Sequence, residues 1–199
     1  MEVMTLPKLE TGQYVRNAMG HFVGGDVAIV EHEPEFVFLA LIDVLGHGPQ
    51  AHHTAVEIEA FIRSWSDKQD LLGLLKALHR QHIHGRGAVI GLCTIEPQCG
   101  EIRYVGIGNA TCRMIGENSR HLLTREGVVG QSIRTPSVEV TNLVSGDLLL
   151  LHSDGVSSHF DLDDCPQLRI DSMPTSARRI VMQFGRPHDD ASCIAVRYA

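Results

Sequence analysis

The sequence predicts an α+β fold in which two antiparallel sheets stack as a sandwich and helices cover the outside. Three observations lead there. Most of the 199 residues fall into short apolar or alternating segments bounded by glycine, proline or asparagine turns, about ten strands in all. A helical period replaces them in only three places. Consecutive strands are joined mainly by short hairpins and not by crossover helices, which disfavours a doubly wound parallel sheet.

Taken in order, residues 1–11 are expected to be a leader or short extended segment, 12–20 a first strand and 26–32 a second. Glu33-Pro34 marks a turn, and 35–43 is a strand whose unbroken run Phe36-Val37-Phe38-Leu39-Ala40-Leu41-Ile42 predicts burial on both faces. These first strands are expected to form an antiparallel meander. Between 49 and 66, Ala51, Ala55, Ile58, Ile62 and Trp65 share one helical stripe. Leu71, Leu74, Leu75 and Leu78 repeat the pattern in a second helix ending near 82–85. Strands follow at 88–95 and 101–107 around Glu96-Pro97-Gln98-Cys99-Gly100. A hairpin of 112–115 with 121–123 is expected around Gly116-Glu117-Asn118, and another of 138–143 with 147–152 around Ser145-Gly146. A loop carrying Pro166 and Pro174 leads to a helix at 175–184, with Ala177, Ile180, Val181 and Phe184 on one face, and the strand 191–198 closes the chain.

Composition is that of an ordinary globular protein, 43% apolar and 21% charged. The formal charge of -7 and the lack of a Lys/Arg block argue against nucleic acid and anionic membranes as partners. Cys93, Cys99, Cys112, Cys165 and Cys193 are odd in number without C-x-x-C spacing, so core packing is favoured over disulfides or zinc. No signal-peptide pattern and no membrane-length apolar run is present, which makes a cytoplasmic protein the expectation. One domain over 1–199 suits this length.

The chemistry concentrates on acids at strand ends. Asp43-Val44-Leu45-Gly46-His47-Gly48 follows the central strand, and Gly24-Gly25-Asp26 opens the strand before it. Ser153-Asp154-Gly155 follows Leu148-Leu149-Leu150-Leu151, while Asp189-Asp190-Ala191-Ser192 leads into the last strand. An acid at a strand end is usually a turn residue. Four such sites in one small chain point to convergence on hard cations with oxygen ligands. Asp43 can bridge two divalent ions, with the Val44 carbonyl, Asp154 and one of the final acids completing the shells. Mg or Mn suits this donor set better than Zn, and two such ions can activate a water for in-line attack on a phosphoryl group. His47 can orient that water or protonate a leaving alkoxide, or it can simply hydrogen-bond the turn.

Other motifs carry less. His79, His82 and His84 fit a solvated helix end. Gly106-Ile107-Gly108-Asn109 lacks the Lys-Ser/Thr of a phosphate loop. Ser153 has no recognisable His–Asp relay.

Taken together, the four acidic motifs resemble the bacterial PP2C-like (PPM) serine/threonine phosphatases of the SpoIIE/RsbU branch, in an order and spacing that run from about residue 12 to 198. The resemblance implies an α-β-β-α sandwich of two antiparallel sheets flanked by helices, with two Mn2+ or Mg2+ ions between the sheets. It implies Asp43 as bridging ligand, Val44 as carbonyl ligand, Asp154 and Asp189 on the second ion and Asp26 on the first, with Asp190 the second choice for the last ligand. Val27-Ala28-Ile29 stand where many relatives carry aromatics and another acid. Leu45 stands where eukaryotic members have a histidine, so His47 does not inherit that role by position, and Arg16 is the candidate for their phosphate-binding arginine.

Within the branch, the single-domain form, Gly87-Ala88-Val89-Ile90 and Gly106-Ile107-Gly108-Asn109-Ala110 are most similar to the RsbX type. This implies a feedback phosphatase acting on phosphorylated STAS-domain stressosome proteins of the RsbS/RsbR type, and a monomer is expected. Two other readings compete: a docking module of the same fold without turnover, and a hydrolase of small phosphate esters.

Overall fold

The apolar run around residue 40 becomes β3 (Val37–Val44), buried along nearly its whole length. Its alternate side chains enter different cores. Val37, Leu39 and Leu41 point between the sheets, and Phe38, Ala40 and Ile42 point to the helices. This two-sided burial is why the strand is apolar throughout. The computed structural model describes residues 9–116, 119–161 and 164–199.

Around β3 the chain builds a first sheet from β2 (Asp26–His32), β4 (Ala88–Ile95), β5 (Glu101–Ile107) and β11 (Glu139–Asn142), in the order β11-β5-β4-β3-β2. A two-residue strand, β8 (Thr124–Arg125), adds to β5 in parallel. The second sheet has the order β1-β13-β12-β6-β7, from β1 (Leu9–Arg16), β13 (Ala191–Tyr198), β12 (Leu148–His152), β6 (Thr111–Ile115) and β7 (Arg120–His121). Between β8 and β11, β9 (Gly127–Val128) and β10 (Ser132–Ile133) form a small separate ribbon.

The helices form as their periods predict. In α1 (Pro49–Ser64) the buried positions are Ala51, Ala55, Ile58 and Ile62. In α2 (Leu71–Gln81) they are Leu71, Leu74, Leu75 and Leu78, and the Asp70 carboxylate caps the first turn by accepting from Gly73 N at 2.9 Å. Both helices cover the first sheet. The buried Lys68 ammonium donates to the carbonyls of Ile62, Arg63 and Trp65 at 2.7–3.0 Å, closing the C-terminal end of α1. The third helix, α3 (Met173–Phe184), covers the second sheet through Met173, Ala177, Ile180 and Val181. With the sandwich core between the sheets, the layers are α-β-β-α. No helix among the described residues is long and apolar enough to cross a membrane.

Four local expectations change. The first strand is not part of a meander with β2 and β3. It runs over Leu9–Arg16 and pairs along its whole length with β13 in the other sheet, because the long segment after Arg16 crosses between sheets where a hairpin turn would reverse the chain. Of the expected leader, residues 1–8 lie outside the described residues. The expected pair 138–143 with 147–152 is also divided: β11 joins β5 and β12 joins β6 and β13. There the Asp147 carboxylate accepts from Val144 N at 3.0 Å and shapes the crossing. The β6–β7 hairpin forms with Arg113 opposite His121, its second strand shorter than expected; Glu117 and Asn118 of its turn lie outside the described residues. Finally, α3 starts two residues early, since Pro174 occupies a first-turn position where no backbone donor is needed.

Candidate metal centre

Side-chain alternation places the acids. Leu41 and Leu39 face the inter-sheet core from β3, as do Ala28 and Val30 from β2. Two residues along each strand, Asp43 and Asp26 therefore face the same side, and the ladder sets them directly opposite one another. Leu149 and Leu151 face the core from β12, and Ile194 and Val196 from β13. The same alternation carries the small hydroxyl residues Ser153 and Ser192 to the inner face of the second sheet. They are fully buried there, and Ser153 Oγ accepts from Ser192 N at 3.1 Å.

Burial and mutual repulsion dominate the electrostatics. Burial first, then Asp26, Asp154 and Asp189, push the Asp43 carboxyl up to about 9. Burial raises Asp26 to about 7, against the lowering effect of the Ser153 and Ser192 hydroxyls, with Asp190 and Asp189 raising it further. Asp189 is raised by burial and then by Asp154. Asp26 Oδ2 is buried without a hydrogen-bond partner. Among the described residues no three acidic, imidazole or thiolate side chains close to the spacing of a finished cation cage. What Asp26, Asp43, Asp154 and Asp189 share is mutual repulsion when ionised, which a multivalent cation would replace by attraction.

Asp189 and Asp190 differ in what holds them. Asp190 is buried and both of its oxygens are taken, Oδ1 by Ala18 N and Oδ2 by Gly25 N, each at 2.7 Å. In the ladder, Val44 N donates to Gly25 O at 3.2 Å, yet the Gly25 amide turns to Asp190 and makes no return bond. The Val44 carbonyl thereby lacks the return bond from the Gly25 amide. Glycine is required at Gly155, where a Cβ would stand 1.8 Å from the Asp190 carbonyl oxygen. A Cβ on Gly24 would strike the Asp190 carboxylate at 2.5 Å.

His47 is exposed on the Asp43 turn, its ring centroid 4.5 Å from that of His21. Arg16 Nη2 donates to Arg186 O at 2.5 Å and Asp189 O at 3.4 Å, so this arginine braces the turn that presents Asp189. Arg86 donates to Leu45 O at 3.0 Å and to the Gln50 side chain. His79 is not merely solvated, since its Nδ1 accepts from Gly130 N at 3.1 Å.

Sequence reasoning passed over Asn109, whose Nδ2 donates to Asp154 Oδ2 at 2.5 Å. Its signal is a Gly-Asn turn after a buried strand, the same setting as the acids. Ser153 and Ser192 were legible from alternation. Nothing local marks His21, which reaches the site only because its loop folds over the Asp43 turn.

Solved structures place this architecture among known folds. One chain from work on the bacterial stressosome, as a modular system adapted to control secondary messenger signalling, is 28% identical with a TM-score of 0.86, over 96% of this chain and 100% of that one. RsbX in complex with magnesium is 17% identical with a TM-score of 0.79, over 96% of both chains. The PP2C phosphatase domain of SpoIIE from Bacillus subtilis, solved with a fragment of its regulatory domain, is 18% identical with a TM-score of 0.75, over 96% of this chain and 63% of that one. No curated protein sequence matches significantly. The model of the stage II sporulation protein E (SpoIIE) family matches residues 33–199. That span contains Asp43, Asp154 and Asp189 and leaves only Asp26 of the shared field ahead of it, and the chain belongs to the SpoIIE family of PP2C-like serine/threonine phosphatases of PPM type.

Proposed function

We propose that this phosphatase removes phosphate from phosphoserine or phosphothreonine of STAS-domain stressosome proteins of the RsbS/RsbR type, as negative feedback in stress signalling, with two Mn2+ or Mg2+ ions. Residues 1–199 act as one catalytic domain, a monomer in the cytoplasm. Five free cysteines suit a reducing compartment.

The observation that carries the chemistry is the buried cross-strand pair of Asp26 and Asp43, both raised far above an ordinary carboxylate. Such a pair is costly unless positive charge compensates it. All of the donors are oxygens, which suits Mg or Mn. Asp43, Asp26, the Val44 carbonyl, Asp154 and Asp189 would together hold these ions. Asp189 is preferred to Asp190, whose oxygens are engaged by backbone amides. When bound, such ions lower the pKa of a water and neutralise phosphoryl charge.

The remaining work falls to the protein's own residues. Asn109 orients Asp154, and Arg16 steadies the turn carrying Asp189. His47, exposed on the Asp43 turn, would give a proton to the departing serine oxygen. The stressosome assignment is supported by the 28% identical chain from work on the bacterial stressosome. The fold of RsbX, solved with magnesium, is consistent with it.

The test is phosphate release from a phosphoserine STAS-domain protein and from a small aryl phosphate, with and without Mn2+. Mn-dependent release from the protein, lost in Asp43→Asn, supports the whole reading. Release from the aryl phosphate alone retains the chemistry and removes the partner. Binding of the phosphoprotein without release from either substrate makes the chain a docking module.

A further inference from the structure

The crossing segment 17–25 holds an unexpected surface. Phe22 is 99% exposed and Met19 is 67% exposed. A single exposed apolar residue is common and needs no explanation. Here, however, two lie on one segment whose backbone is fastened at several points. Asn17 Nδ2 donates to Phe22 O at 2.9 Å, His21 N to Ala18 O at 3.0 Å and Met19 N to Pro187 O at 2.8 Å. The Asp190 carboxylate takes the amides of Ala18 and Gly25 at the two ends. A loose loop would let the aromatic ring fold back onto the protein, as the hydrophobic effect favours. These bonds hold the backbone that presents Phe22 to solvent.

The same bonds tie this apolar surface to the acidic site. Asp190 adjoins Asp189, and the His21 ring, one residue before Phe22, lies 4.5 Å from the His47 ring on the Asp43 turn. Leu45, on that turn, is also exposed. A substrate entering the mouth with its phosphate toward the acids therefore passes an apolar ridge. A small phosphate ester has nothing to lay on it, whereas a polypeptide does.

The geometry points to Phe22 and Met19 as specificity determinants that receive an apolar side chain close to the phosphoserine of a protein substrate. This rests on the proposed hydrolytic reading and deepens it, by naming what the enzyme recognises beyond the phosphate.

The test compares wild type, Phe22→Ser and Met19→Ser in Mn2+ on three substrates. Two are phosphoserine peptides of equal length that carry either leucine or serine beside the phosphoserine, and the third is p-nitrophenyl phosphate. Wild type is expected to favour the leucine peptide through KM. Phe22→Ser should raise that KM about tenfold, with kcat, the serine peptide and p-nitrophenyl phosphate unchanged, and Met19→Ser should do the same more weakly. Equal KM for the two peptides in wild type, or a preference untouched in both variants, overturns the inference while hydrolysis stands. So does a parallel loss on all three substrates, which would make the loop a support of the site. A concentration-dependent dimer of wild type that Phe22→Ser abolishes, with the peptide preference intact, assigns the ridge to a second copy and also overturns it. Wild type that cleaves none of the three removes the hydrolytic reading itself, and this inference with it.

Discussion

Asp26 and Asp43 face each other across β2 and β3 at the mouth of the sandwich, two carboxylates in register with burial raising both. This arrangement opposes folding unless protons or cations neutralise it. Several measurable consequences come from it and from the groups around it.

The first concerns pH. A carboxyl near 3.8 when unfolded and raised to about 7 at Asp26 and about 9 at Asp43 binds more protons folded than unfolded. Stability in a chelator must then fall as pH climbs from about 4 toward 9, the reverse of a salt-bridged acid. Thermal melts in EDTA at pH 5 and pH 8 should show the loss, and Mn2+ should restore stability at pH 8. Asp43→Asn should flatten the dependence and melt roughly 2–4 °C above wild type in EDTA at pH 8 for each kcal/mol of repulsion removed. It should also lower kcat by at least about 10²-fold. A chelated wild type more stable at pH 8 than at pH 5 contradicts the prediction.

The neighbouring acids should separate cleanly. Asp190→Ala strips two amides of a charged acceptor and should cost about 3 kcal/mol in urea unfolding, with faster hydrogen exchange at Ala18 and Gly25. Asp189→Ala should lie within about 1 kcal/mol of wild type. Its defect should be weaker Mn2+ binding, read by calorimetry. Reversal of the two phenotypes would exchange their roles.

Asn109→Ala should leave the fold intact and lower Mn2+ affinity by about 10–100-fold, as expected when the partner of a ligating carboxylate is removed. Asn109→Asp is expected to be worse, since it sets another negative charge against Asp154. Metal titrations monitored by activity would show either effect.

Gly155→Ala should destabilise by more than about 2 kcal/mol, because its Cβ would meet the Asp190 carbonyl and not a flexible side-chain tip. Gly20→Ala and Gly146→Ala probe a different cost. No atom lies near either Cβ, so these substitutions bear only the strain of a positive φ. Urea midpoints for the three variants would rank them.

Much of the molecule was determined by the sequence alone. The stripe Ala51, Ala55, Ile58 and Ile62 and the leucines of α2 stand in the structure as their period requires, because burial of a helix face is written locally every third or fourth residue. Alternation likewise turns Asp26 and Asp43 inward together. Other features depend on partners distant in the chain, which no local period encodes. The pairing of β1 with β13 and the division of β11 from β12 belong to this class. So does the difference between Asp189 and Asp190, adjacent acids distinguished by amides more than 160 positions away. Periodicity turned the acids toward the core; that both oxygens of Asp190 go to the amides of Ala18 and Gly25 was decided only when the tertiary fold assigned the backbone donors.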